Sequence, residues 1–268
     1  MARKAAELRG ALDPLAAGSE IGLVPTMGAL HAGHVALFAT ARQECDVLVA
    51  SIFVNPAQFG PEEDFETYPR DEVEDAKVAA EAGVDFLFVP SVEEMYPQGF
   101  RTWVDVEEIS DDLEGAIRPG HFRGVATVCL KLFNIVRPER AYFGQKDAQQ
   151  AALVEQLVRD LAMGVEIRLV ATVREEDGLA VSSRNMHLSP DEREAARALP
   201  RALFAGEEAY RSGSDPVVAA RNVLSAEALL EPDYIEVARF NGRLHLLAAA
   251  RAGPVRLIDN VILEGELT

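Results

Sequence analysis

Ile21-Gly22-Leu23-Val24-Pro25-Thr26-Met27-Gly28-Ala29-Leu30-His31-Ala32-Gly33-His34 is the stretch on which the reading of this chain turns. Its first six residues form an apolar run ending in Pro-Thr, and a glycine-rich turn follows. From residue 33 to about 43 the apolar spacing becomes helical. A buried strand that feeds a helix through a glycine turn is the repeating unit of a parallel α/β sheet.

The same alternation continues outward. Residues 46–54 (DVLVASIFV) read as a buried strand, and residues 71–83 as a helix with acids in its first turn and Gly at its end. Residues 85–90 predict a strand, 123–136 a helix and 140–144 a strand; residues 147–162 predict a helix with Asp147 as N-cap, and 165–172 another strand. Apolar strands alternating with helices imply a Rossmann-like parallel sheet covered on both faces. Such sheets bind ligands beyond the carboxyl ends of their strands. That directs attention to residues 25–34, 55–70 and 144–150.

The pattern changes after residue 173. Ser189-Pro190-Asp191 opens a helical stretch to about residue 210, and a second helix is predicted over 215–230. Residues 234–240, an Asn241-Gly242 turn, residues 243–247 and residues 255–263 predict an antiparallel hairpin plus one further strand. The expected organisation is a large domain over residues 1–175 and a smaller, lid-like α+β domain over 176–268, with the boundary near 174–182.

Composition narrows the function. The 268 residues carry a formal net charge of −18, which repels phosphate backbones and anionic lipid, so neither nucleic acid nor a membrane surface is an expected partner. An anionic substrate would then need positive charge gathered locally. With only four lysines in the chain, Lys146 after a predicted strand is informative. Cys45 and Cys129 lie in apolar helical patterns and read as buried small hydrophobes. There is no apolar signal core at the N-terminus and no apolar run of spanning length, which points to the cytoplasm.

Four segments carry the chemistry. In the first, a helix start offers N–H groups and a positive dipole end to phosphate, Gly28 and Gly33 allow close approach or positive φ, and His31 and His34 add imidazole donors. A zinc site there would lack a third nearby ligand. Gly144-Gln145-Lys146-Asp147 opens a helix after a strand and brings a cation. Val181-Ser182-Ser183-Arg184 places two hydroxyls and a guanidinium in succession, a phosphate clamp suited to closing over nucleotide. Asn55-Pro56-Ala57-Gln58 follows the strongest strand, and the Gln58 amide suits a small polar substrate. There is no P-loop, no dinucleotide glycine motif after a strand and no nucleophile elbow.

Residues 25–34 resemble the Pro-Thr-Met-Gly-Ala-Leu-His-x-Gly-His signature of the pantothenate synthetases, a family of the His-x-Gly-His nucleotidyltransferase superfamily. SIFVNPAQFGPEEDFETYPRD, RPGHFRGVATVCLKLFNIVRPERAYFGQKDAQQ and TVREEDGLAVSSRN resemble further blocks of that family in the same order. The resemblance implies an AMP-forming ligase. Pantoate attacks the α-phosphorus of ATP and releases pyrophosphate. The amine of β-alanine then attacks the pantoyl adenylate, giving AMP and pantothenate, a coenzyme A precursor. It also implies Mg2+ held mainly by the ATP phosphates, and a homodimer.

By matching position, the resemblance implies that Met27, Gly28, Ala29, Leu30, His31, Ala32, Gly33 and His34 line the ATP site. His34 would act at the transferring phosphorus, with His31 beside it. Lys146 would neutralise phosphate charge, Gly144 and Asp147 would face the ribose with Gln145 between them, and the Val173 backbone would meet adenine. Val181, Ser182, Ser183 and Arg184 would clamp the triphosphate, and Gln58 and Gln150 would hold pantoate. The chain departs from the family at Ala32, where an acid is common, at Gln145, where Glu is frequent, and at Val181, where Leu or Met is common. The rival readings are another nucleotidyltransferase of the superfamily with a different small acceptor, and a nucleotide sensor that kept the fold. The sensor reading expects loss of His34, Lys146 or Arg184, and all three are present.

Overall fold

A computed structural model describes residues 1–61 and 63–267. Two compact units emerge: Met1–Phe143 with Gln149–Val170, and Gly144–Ala148 with Ala171–Thr268. The short Gly144–Ala148 segment, which the sequence division leaves in the first domain, thus groups with the C-terminal unit.

The first unit runs α1 (Ala5–Leu12), β1 (Ile21–Thr26), α2 (Ala32–Glu44), β2 (Val47–Ile52), α3 (Glu72–Glu81), β3 (Phe86–Phe88), α4 (Val92–Met95), α5 (Glu114–Ile117), α6 (His121–Val136), β4 (Arg140–Gly144), α7 (Ala148–Asp160) and β5 (Glu166–Val170). Its strands form a five-stranded parallel sheet in the order β3-β2-β1-β4-β5. β1 pairs in parallel with β2 on one side and β4 on the other, so the strand order reverses between β1 and β4. The carboxyl end of β1, at Thr26, therefore lies at the sheet's switch point, where open α/β sheets bind ligands.

Side chains alternate across this sheet with period two. Leu23, Val47, Val49, Ala141 and Phe143 join α1, α6 and α7 in one cluster. Val24, Leu48, Ala50, Ile52 and Tyr142 join Phe38 of α2 and Ala79 of α3 in another. Both faces are covered, which is why the strands read as continuous apolar runs. Cys45 and Cys129 are free and buried, as expected.

The second unit carries α8 (Pro190–Ala196), α9 (Ala198–Arg211), α10 (Pro216–Leu224), β6 (Leu230–Phe240), β7 (Arg243–Ala252) and β8 (Val255–Glu264). The strands form an antiparallel sheet in the order β6-β7-β8. Asn241 (φ 46°) and Gly242 (φ 87°) are both left-handed, as a two-residue hairpin of this type demands. Leu199, Ala202 and Leu203 of α9 pack with Ala220 and Leu224 of α10 against β7 and β8.

Two local expectations change. The helix expected over 189–210 breaks at Arg197, because the Pro200 ring cannot sit against the carbonyl four residues before it. At α7 the difference is one of detail: Asp147 directly precedes the helix, but as the last residue of a short 3₁₀ turn, Gln145–Asp147.

Candidate active site

The turn after β1 is built from hydrogen bonds on three sides. Thr26 Oγ1 donates to the Ser51 carbonyl (2.6 Å) and accepts from Gly28 N–H (3.2 Å). Gly28 has φ +83°, and a Cβ there would sit 2.7 Å from Asp75 Oδ2, so both conformation and space require glycine. Asp75 of α3 is only 4% exposed, and its carboxylate accepts Ala29 N–H (3.0 Å) and Leu30 N–H (2.7 Å). Bonds to a charged acceptor are worth about 1.5–3 kcal/mol each, so Asp75 is the main brace of the loop. Along the chain Asp75 is one of several acids at a helix start, and nothing local marks it as the loop's partner.

His31 and His34 then close the start of α2 on themselves. His31 is the N-cap, and its Nδ1 accepts Gly33 N–H (3.2 Å). His34 Nδ1 accepts His31 N–H (3.2 Å), which completes a reciprocal capping box. The two rings lie 4.1 Å apart. A nitrogen that accepts an amide N–H bears no proton, so each neutral ring carries its proton on Nε2. Both imidazoles are thereby fixed as Nε2–H donors. Gly33 is helical rather than left-handed. Its glycine requirement comes from close approach: a Cβ would lie 2.9 Å from the His31 ring.

Gln58 sits at the end of the 3₁₀ turn Pro56–Gln58 and is buried. Its Nε2 donates to Met27 Sδ (3.2 Å), and its Oε1 accepts from Asn55 Nδ2 (2.9 Å). Asn55 is in turn held by Tyr96, whose hydroxyl donates to Asn55 Oδ1 (2.8 Å). The first and fourth sequence segments therefore meet through Met27 and Gln58. Gln150, half-buried on α7, makes no side-chain hydrogen bond among the described residues and none to Gln58. Its neighbour Gln149 is saturated by Ile109, Asp112 and Glu114, a structural role.

The carbonyl of Gln58 accepts from His121 Nδ1 (2.8 Å). That leaves His121 Nε2 as an acceptor facing Arg118 NH1 (3.1 Å). Burial first, then the Arg118 charge, pushes His121 down to about 4. Burial also pushes the Glu63 carboxyl up, but its paired bonds from Arg118 (2.8 and 2.6 Å) outweigh that and leave it below its ordinary value.

In the C-terminal unit, Lys146 lies in the Gln145–Asp147 turn with a side chain 22% exposed and Nζ 3.9 Å from Asp147 Oδ1. Val181 N–H donates to the Val173 carbonyl (2.9 Å), so these two predicted site residues pair across a tight hairpin. A purine contact at Val173 would use its N–H or the second carbonyl lone pair. Arg174 anchors the hairpin base through a bidentate pair with the buried Asp259 (2.7 and 3.1 Å). Ser182 Oγ accepts Arg184 N–H (3.3 Å) and caps the 3₁₀ turn Ser183–His187. Asn185 braces the same turn by donating to Glu175 (2.6 Å) and to the Ala180 carbonyl (3.0 Å).

Among the described residues no three His, Cys, Asp or Glu groups gather as a metal site, and no helix is long and apolar enough to cross a membrane. A Mg2+ carried mainly by phosphate oxygens needs no such cluster.

A family model described as pantoate-beta-alanine ligase matches residues 1–262. A pantothenate synthetase of Chloroflexus aggregans is 54% identical over 263 residues, 92% of this chain and 95% of its own. The crystal structure of pantothenate synthetase from Thermus thermophilus is similar at a TM-score of 0.93 and 47% identity, covering 98% of this chain and 99% of that one. Pantoate-beta-alanine ligase from Francisella tularensis, complexed with Beta-gamma ATP and Beta-alanine, gives 0.83 at 36% identity, over 99% and 98% of the two chains. With the family model and these relatives all matching over nearly its whole length, the chain belongs to the pantoate–β-alanine ligase family.

Proposed function

We propose that this chain condenses (R)-pantoate with β-alanine at the expense of ATP, in two displacements. A pantoate carboxylate oxygen bonds to the α-phosphorus as the bond to pyrophosphate breaks, leaving pantoyl adenylate. The β-alanine nitrogen then bonds to the acyl carbon, AMP leaves, and the amine gives up a proton. Neither step asks for an enzyme nucleophile. Both ask for alignment of like-charged partners and for donors where charge builds at phosphorus.

The observation that carries the reading is the reciprocal cap of His31 and His34. It presets both rings as Nε2–H donors beside the N-terminus of α2. In this proposal His34 donates to the α-phosphate as the carboxylate attacks, and His31 donates to a neighbouring phosphate oxygen. Met27 through His34 form the wall of the nucleotide site in the first unit. Gln58 and Gln150 hold pantoate, the Gln58 amide being oriented through Asn55 and Tyr96. Lys146 and Arg184 neutralise phosphate charge, Ser182 and Ser183 donate to phosphate, Val173 and Val181 meet the base side, and Gly144, Gln145 and Asp147 meet the ribose side. A Mg2+ held mainly by the ATP phosphates would add charge neutralisation beside Lys146 and Arg184. A homodimer acting in the cytoplasm completes the proposal.

The test is a mass-spectrometric product assay with ATP, Mg2+, pantoate and β-alanine, each omitted in turn. Pantothenate and AMP are expected only from the complete mixture. Pyrophosphate release without β-alanine, followed by no pantothenate when it is added, would overturn the amine assignment. No product from any mixture would overturn the substrate assignment altogether.

A further inference from the structure

Among the described residues Lys146 has no strong ion pair to aim it; its nearest carboxylate oxygen is 3.9 Å away, on the adjacent residue. Its orientation is set instead through the backbone. Asn260 of β8, 1% exposed, donates both amide hydrogens to successive carbonyls of the turn, Gln145 O (2.9 Å) and Lys146 O (3.0 Å). Those two carbonyls belong to the two peptide planes that flank the Lys146 Cα. Pinning both planes fixes φ and ψ of Lys146 together, and so fixes the direction of its Cα–Cβ bond. The Asn260 amide cannot turn over, because a flip would aim its oxygen at two carbonyl oxygens. In the present orientation Oδ1 lies 3.4 Å from His245 Nδ1. The preceding residue, Asp259, holds Arg174 at the base of the Val173–Val181 hairpin, so two consecutive residues of one strand anchor both the Lys146 turn and that hairpin.

We infer that Asn260 is a positioning residue for the adenylation step, acting through the backbone of Lys146 to aim its ammonium at the ATP phosphates. The inference rests on the proposed role of Lys146. Loss of the two bonds lets the turn relax, and a misplacement of about 1 Å at a reacting centre costs about 10²-fold in rate.

The experiment is a double-mutant cycle on the full chain: N260A, Lys146→Ala and the double variant. It reads single-turnover pyrophosphate release at saturating pantoate, KM for ATP, KM for pantoate and melting temperature. N260A is expected to slow adenylation by about 10²-fold and to raise KM for ATP, with KM for pantoate unchanged within about two-fold. In the Lys146→Ala background, N260A is expected to cost nothing further in rate, because the group it aims is gone. Additive losses in the cycle, or equal rises in both KM values, would overturn the inference and leave Asn260 as a structural residue of the sheet. A crippled Lys146→Ala beside an active N260A would also overturn it while sparing the Lys146 assignment. A fully active Lys146→Ala would overturn that assignment first, and this inference with it. If N260A does not fold, Asn260→Ser, which keeps a small donor, goes through the same cycle with the same criteria.

Discussion

The histidine turn and the lysine turn both follow a strand and open a helix, yet they are held in opposite ways. At the histidine turn, each ring accepts an amide hydrogen from within three residues, so His31 and His34 orient one another. At the lysine turn, the equivalent brace comes from Asn260, 114 positions away, and among the described residues no carboxylate comes closer than 3.9 Å to the side chain itself. Each turn is therefore fragile in a different place. Damage to the first is done by changes in the motif itself. Damage to the second is done from another strand.

The largest expected effect tests whether the locally closed turn is the chemical centre. His34→Ala removes both the Nε2–H donor and the acceptor that holds His31 N–H. Single-turnover adenylation should slow by about 10²–10⁴, the range for a positioned acid–base or donor group. Near-normal adenylation by this variant would mean that the self-capped turn serves structure alone.

The next effect contrasts two long-range anchors. His121, from α6, holds the Gln58 carbonyl and titrates; Asn260 holds the Lys146 turn and does not. His121 is pushed down to about 4 in the fold, against about 6.5 when exposed, so the unfolded chain takes up the proton first as pH falls. The stability from neutral His121 is full above about pH 6.5 and is lost as pH falls toward about 4. Between pH 7 and 5 the loss should be about 2 kcal/mol. Urea unfolding of the wild type and His121→Asn at both pH values checks this. A pH-induced loss as large in the variant as in the wild type would assign the acid sensitivity elsewhere.

A smaller effect separates the two turns through their glycines. A Cβ at Gly33 lies 2.9 Å from the His31 ring, whereas one at Gly144 meets nothing within 4 Å. Gly33→Ala should cost about 1–3 kcal/mol of stability, the usual range for overpacking, and Gly144→Ala far less. Melting curves of the two variants decide it; equal losses would mean that the histidine pair is no more tightly closed than the lysine turn.

The smallest effect concerns the acid-binding side. Gln58 touches Met27 and Asn55. Gln58→Ala should raise KM for pantoate about tenfold, the equivalent of one hydrogen bond of about 1.4 kcal/mol, with KM for ATP little changed. A dominant ATP defect would move Gln58 to the nucleotide side, alongside the Met27 sulfur it bonds.

Strand and helix types in the first unit were legible along the chain because burial on both sheet faces leaves continuous apolar runs, and Asn241-Gly242 announced its hairpin through residues that tolerate positive φ. The histidine turn was legible for the same reason it is robust: its partners lie within one helical turn of each other. Braces supplied by distant residues were not. Asp75 appears as one more acid in a helix start, Asn55 and Tyr96 as ordinary polar residues, and Asn260 as a break in an apolar strand. The split at Arg197 was written in Pro200, but a proline three residues into a new helix looks the same as one ending an old helix until the backbone is seen.

What the sequence determined alone was therefore what short-range chemistry settles: element types, the glycine turn, the cation-bearing segments and a family likeness strong enough to imply the reaction. Which carboxylate braces the loop and which strand aims Lys146 were settled by the assembled fold. Those depend on how backbone and side-chain groups meet in space, in several cases across tens to more than a hundred residues, and a hydrogen bond is directional at about 3 Å. No periodicity along the chain encodes that geometry; packing of the assembled sheet and helices does.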